Sequence, residues 1–456
     1  MSGIETAIAV TRFGMGARPA EMAAIGRDGR GWLVDQIGRS DPLDASGLRT
    51  AREAILYFRQ EYQPRLQAIQ DGTATNPDTA QEELGRLLRS GSAAHIAART
   101  GLGLRTATGF SERWIRFWSN HFSVAMTSPP MALLAPTHEM EAIRPNAFGR
   151  FEDLLLAAEL HPAMLFYLDN ALSVGPNSRP GRRRGRGLNE NLARETLELH
   201  TLGVEGGYSQ EDIISLAKLL TGWTIGNERL QHSADQIGRT VFDARIHEPG
   251  AQTLLGQRFG GTARDKAPDA LRMLARQPQT ATFIATKLAR HFIADTPDAA
   301  DIAHIRESFV RTEGDLAALA RAVITAPGAF APEPRKFKTP EEYLVSAFRA
   351  LDINRLQPRA LGASLRALGQ VPFRAPSPAG WPDTESEWGG PDALMKRLDF
   401  ANELARRAGA NAAPRERGPQ ILGDRLQGGT ALAIAAAESA EQGLTLLLMS
   451  PEFLRR

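Results

Sequence analysis

The chain has 456 residues, and its 42% hydrophobic and 23% charged content is that of a folded globular protein, which excludes a disordered or fibrous class. Its 54 basic residues include only 6 lysines and face 52 acidic ones, so the sequence pI near 9.0 reflects the high pKa of arginine; a net charge of +2 argues against a nucleic-acid partner. With no cysteine there is no disulfide, thiolate nucleophile or thiolate metal ligand, and any metal must be held by His, Asp or Glu.

This length exceeds what one hydrophobic core serves. We therefore expect a mainly α protein of many helices in two packed lobes with at most a short β-hairpin, the main lobe over residues 1–328 and a second over residues 336–456. The first ten residues hold no basic region followed by an apolar stretch, so no secretory signal is visible and the expectation is a cytoplasmic protein. No apolar run reaches the roughly 18 residues that a membrane-spanning helix needs.

In chain order, residues 111–125 place Trp114, Trp118, His121, Phe122 and Ala125 on one helical stripe, and residues 151–160 place Phe151, Leu154, Leu155 and Ala158 on another. His161-Pro162 breaks the pattern, because a residue before proline avoids the helical region, and residues 163–172 resume it. Residues 173–187 are rich in Gly, Pro, Ser and Arg and read as a mobile loop. Ser209 is the expected N-cap of a helix whose buried face is Ile213, Leu216, Ala217 and Leu220. Residues 240–246 alternate as a half-buried strand. Helices follow at 268–276, 279–293, 301–311 and 316–326, then the proline-rich stretch 326–340, then helices at 340–351, 359–368 and 392–407. Between the last two, residues 372–391 form a Pro/Gly/Trp loop that carries Trp381 and Trp388.

Several of these segments together resemble the bacterial family known as domain of unknown function 1800. They are Trp118-Ser119-Asn120-His121-Phe122, His161-Pro162-Ala163-Met164, Tyr167-Leu168-Asp169-Asn170 and Asn189-Glu190-Asn191-Leu192-Ala193-Arg194-Glu195. Glu198 to Gly203, Gly206-Gly207-Tyr208, Thr221-Gly222-Trp223, His247 and Gly380-Trp381-Pro382 complete the set. The resemblance implies no settled activity. It implies a protein that is often exported and often encoded beside a partner that carries a twin-arginine export signal. Glu248 stands where the resemblance leads us to expect Asp.

Within that central block, Asn191, Glu195 and Glu198 fall on one helical face, which suits a divalent cation held by oxygen ligands or a general acid–base pair. The same spacing suits a surface ladder, with Arg194 four residues from both Glu190 and Glu198. His121 points inward and must have a partner, whether a hydrogen bond or a metal approached also by His138, His247 and the glutamates. His247 follows the strand, where a rigid element presents side chains to a cleft, and Asp169-Asn170 closes a helix. The arginines 179, 182, 183, 184 and 186 offer phosphate contacts or plain solvation.

Two functions remain open from these residues. The first is a hydrolase assisted by a divalent metal or by a carboxylate/His acid–base site. Its catalytic groups would be Glu195, Glu198, His121 and Arg194, its metal ligands His121, Glu195, Glu198 and His247, and its further binding residues Asn191, Asp169, Asn170 and Trp381. The second is a non-catalytic helical protein that works with an exported partner through Trp381, Trp388 and the arginine-rich loop.

Overall fold

A computed structural model of the chain describes residues 3–184, 187–355 and 357–456. The architecture is mainly α, with two small antiparallel two-stranded sheets. Prolines 77, 162, 278, 340, 358 and 391 each open a helix, where the missing N–H costs nothing and the fixed φ is already helical.

The side chains pack into two cores. The first surrounds the helix Gly109–His121, whose Trp114 and Trp118 are fully buried, and gathers apolar residues as far along the chain as Ala329. Trp114 meets its polar need by donating from Nε1 to the Ala147 carbonyl at 2.7 Å. The second core begins with Phe337 and runs to Leu454, but it also takes Ala7, Val10, Met15, Ala17 and Met22 from the start of the chain, together with Ile96 and Leu104. Chain order and core membership thus part company at the N-terminal helices, which pack against both cores.

Several expected elements appear with small shifts. Residues 111–125 become the helix Gly109–His121, and Ser209 caps Gln210–Leu220 in a reciprocal box with Asp212. Three differences are larger. The glycine-rich stretch 173–187 is not irregular throughout, since it contains the helix Arg179–Arg184. Glu248 anchors its approach, accepting from the Asn177 backbone N–H at 2.8 Å and from Asn177 Nδ2 at 2.6 Å, a tether that composition does not reveal. Arg186 lies outside the described residues.

The expected strand 240–246 is cut to Thr240–Phe242, paired with Trp223–Ile225, because Asp243 turns the chain by accepting from the Arg245 N–H at 2.9 Å. A second hairpin, Gln252–Leu254 with Gln257–Phe259, turns through Leu255 and Gly256, both with positive φ. A leucine in that conformation is uncommon, which is why the turn leaves no signal in the sequence. The longest helix, Pro77–Arg105, also carries little sequence signal: its first four turns bury only Leu84, and its buried face begins at Ser92.

Candidate functional site

The residues singled out from sequence do not gather into one coordination sphere. Among the described residues, no three His, Asp or Glu side chains stand as a metal ion would need. His121 is buried, with Nε2 3.1 Å from the His200 carbonyl, so its partner is backbone. His247 has Nδ1 2.7 Å from the Thr221 carbonyl and Nε2 3.5 Å from the Lys266 ammonium, which occupies the direction a metal would take. Glu195 and Glu198 are half-buried, whereas His200 is fully buried. Burial pushes the Glu195 carboxyl above its ordinary value, His200 opposes this and Glu198 adds to it. The surface ladder does form, with Arg194 3.2 Å from Glu190 and 3.5 Å from Glu198. Asn191 and Asp169 are exposed, while Asn170 is buried and donates to the carbonyls of Leu220 and Trp223, bracing the first hairpin.

Trp381 is where an expected binding residue meets a cleft. The Asn120 side chain clasps its backbone, accepting from the Trp381 N–H at 2.8 Å and donating to its carbonyl at 2.9 Å. Gly380 makes that clasp possible. Its φ is +87°, and a Cβ there would stand 2.5 Å from the Asn120 carbonyl oxygen. Gly380→Ala is therefore expected to lower stability by about 1–3 kcal/mol and to loosen the Trp381 loop, read as a fall in the denaturant midpoint and faster proteolysis at that loop.

The cleft so closed is lined by residues of both cores and has a volume of about 90 Å³. One wall comes from the helix Gly109–His121, which turns Trp114, Trp118 and His121 into the first core and Arg113, Arg116 and Asn120 to the cleft. The facing wall is the start of the helix Pro340–Ala350, where Thr339 caps the helix with Glu342 and Glu341 sits in the first turn. The last turn of Pro278–Phe292 contributes His291, and the loop after Trp381-Pro382 contributes Asp383.

Every charged residue lining the cleft is neutralised by a neighbour. Arg99 pairs with Glu139 and Glu341, Arg116 with Glu112 and Glu341, and Arg113 with Glu342. Arg144 lies behind them and closes a ring between Glu112 and Glu139 at 2.8 and 2.7 Å. Burial alone would raise the carboxyls of Glu139 and Glu342, but their arginines outweigh it and hold both well below the usual range.

Within this balanced wall stands a carboxylate–imidazole pair that sequence reasoning missed. His291 Nδ1 lies 2.6 Å from Asp383 Oδ2, so Nδ1 carries the proton and donates it, leaving Nε2 as a lone-pair acceptor. Nε2 has no hydrogen-bond partner. Burial holds His291 below the ordinary histidine value despite the nearby carboxylate, so the ring is neutral near pH 7. Burial also pushes Asp383 up, but His291, Lys336 and Arg456 overcome it and keep the carboxylate ionised. Lys336 lies 3.5 Å and Arg456 3.6 Å from its Oδ1. A second pair, His200 Nδ1 to Glu159 Oε1 at 2.6 Å, is sealed in the first core with both side chains fully buried.

The family model described as "Protein of unknown function (DUF1800)" matches residues 8–455, nearly the whole chain. The chain belongs to the DUF1800 family. No curated protein and no solved structure matches it. The segments that carry the family resemblance touch one another: Asn120 holds Trp381, His121 meets His200, Asn170 meets Trp223, and Thr221 meets His247. Among the described residues no helix is long and apolar enough to cross a membrane.

Proposed function

We propose that this DUF1800 protein is a hydrolytic enzyme of the acid–base type, working in the cleft that both cores line with His291 as general base. The observation that carries the reading is the Asp383–His291 pair with Nε2 unengaged in the cleft wall. Asp383 fixes the tautomer and the ring orientation, and it stabilises the imidazolium that forms when Nε2 takes a proton from a water or a substrate hydroxyl. Nε2 is closed from bulk water in this conformation, so a water or substrate hydroxyl reaches it only when a side chain of the cleft wall moves. The carboxylate/His site weighed from sequence was built on Glu195, Glu198 and His121, and this reading puts a different pair, Asp383 and His291, in its place. The metal-assisted form would need His121, Glu195, Glu198 and His247 to converge.

The test is turnover by purified protein across chromogenic esters, glycosides and amides, with His291→Gln and Asp383→Asn beside the parent. We expect His291→Gln to lower kcat/KM by about 100-fold or more and Asp383→Asn to lower it by a similar factor, with both variants folded by circular dichroism. Turnover that survives His291→Gln undiminished, or no turnover of any substrate class, rejects the reading.

A further inference from the structure

The groups that the cleft leaves unused describe the molecule it would hold. Each arginine and carboxylate lining it is already in an ion pair, so a charged ligand would find no free counter-ion there and would lose its hydration without compensation. Among the buried polar atoms there without a hydrogen bond, Asp383 Oδ1 still has Lys336 and Arg456 as ion-pair partners at 3.5 and 3.6 Å, and two neutral groups have no partner at all. His291 Nε2 offers a lone pair, and Trp381 Nε1, a donor only, is buried with no partner. Ser119 and Ser123 line the same cleft with hydroxyls that hydrogen-bond to no described residue. The apolar remainder of the wall includes Met15, Val124 and Phe373 as well as the Trp381 ring itself.

We infer that the ligand is a neutral, polyhydroxylated molecule of about one ring, a pyranoside or cyclic polyol, with one hydroxyl donating to His291 Nε2 and one oxygen accepting from Trp381 Nε1. Hydroxyl groups are the chemistry that meets both orphans, since each is donor and acceptor at once, and they also suit the two serines. The C–H faces of such a ring pack on an indole at little desolvation cost, whereas a purely apolar ligand would leave both buried groups unsatisfied. A cavity volume of about 90 Å³ is less than a pyranose ring fills, so the ring enters only in part and its remainder extends through the open side.

This inference rests on the proposed site, because it takes the same His291 Nε2 as one of its contacts, and it names what that site would act on. The hydroxyl that donates to Nε2 is the one whose proton the base would take, or it holds the place of the attacking water.

The experiment is binding to the purified full chain by saturation-transfer NMR, with intrinsic fluorescence as a second readout. The probes are the methyl glycosides of glucose, galactose and N-acetylglucosamine and myo-inositol, against glucuronate and glucosamine as charged counterparts. At least one neutral probe is expected to bind, at least tenfold more tightly than its charged counterpart. Trp381→Phe, which keeps an aromatic ring and removes the N–H, is expected to weaken it about tenfold, and Ser119→Ala severalfold, with unfolding midpoints close to the parent's. Binding of the charged probes as tightly as the neutral ones, absence of binding by every neutral probe, or affinity unchanged in both variants overturns the inference. Neutral binding without any turnover leaves this inference standing and removes the catalytic one. Turnover of a charged substrate that depends on His291 does the reverse.

Discussion

Replacing Glu342 by glutamine is expected to destabilise the protein by about 3–5 kcal/mol, as an unfolding midpoint in denaturant would show. Its carboxylate joins three distant stretches of chain. One oxygen pairs with Arg113, and the other lies 3.0 Å from Arg456 Nε while also closing the capping box by accepting from the Thr339 N–H at 2.9 Å. Glutamine can keep the cap contact, so the loss is mainly of charge. Both guanidinium groups are buried, Arg456 at 0% exposure, and neither can swing out to water when its counter-ion goes. Glu341→Gln, in the adjacent position, gives the matched comparison: Arg99 and Arg116 keep Glu139 and Glu112, so its cost should be clearly smaller. Equal costs for the two variants would refute this account of the network.

Stability is also expected to fall as the pH drops below about 6.5, well before the carboxylates titrate. His95, His121, His138 and His291 all have folded-state values below the ordinary one, in each case with burial as the largest cause. His138 is lowered to about 3, with the neighbouring His161 adding to the effect of burial. Its Nε2 lies 3.1 Å from the Ala158 carbonyl, and the rings of His138 and His161 meet edge to face at 5.2 Å. The unfolded chain takes up a proton at each of these rings near pH 6.5 while the folded chain does not. The unfolded state therefore binds more protons between that pH and the folded value, and stability rises with pH across the window. For His138 alone the slope is about 1.4 kcal/mol per pH unit, which sums to several kcal/mol by pH 3. The carboxylates of Glu112, Glu139, Glu342 and Asp383, depressed in the folded state, withdraw their contribution only below about pH 4. Denaturant midpoints measured from pH 8 to pH 5 test this. A flat profile between pH 7 and pH 5 contradicts it, and His138→Gln should reduce the slope.

How far residues reveal their roles depended on how near their partners lie. Ser209 and Asp212 are three residues apart, and their capping box was legible because the pattern is local. The inward direction of Trp114, Trp118 and His121 was legible for the same reason, since helical spacing alone assigns a face. His291 and Asp383 are 92 residues apart, one in a helix's last turn and the other in a Pro/Gly/Trp loop, and nothing in either segment points to the other. Arg99 and Glu341, 242 residues apart, are no more visible to each other. Conversely, the Glu195/Glu198 cluster drew attention because its carboxylates are close in sequence, yet Glu198 pairs with Arg194 in the surface ladder.

From its residues alone this protein was determined to be helical, to hold two tryptophans and a histidine against one core, to belong with one family, and to lack thiol chemistry. Those are properties of composition and of contacts within a few turns of chain, where geometry is set by the backbone itself. That the first helices pack against both cores, how the arginines are neutralised, and which imidazole keeps a free nitrogen beside a cleft were decided only when distant segments packed. The reason is electrostatic as well as geometric: a buried charge or ring nitrogen takes its character from whatever the fold brings within about 4 Å of it, and the order of residues along the chain does not encode that neighbour.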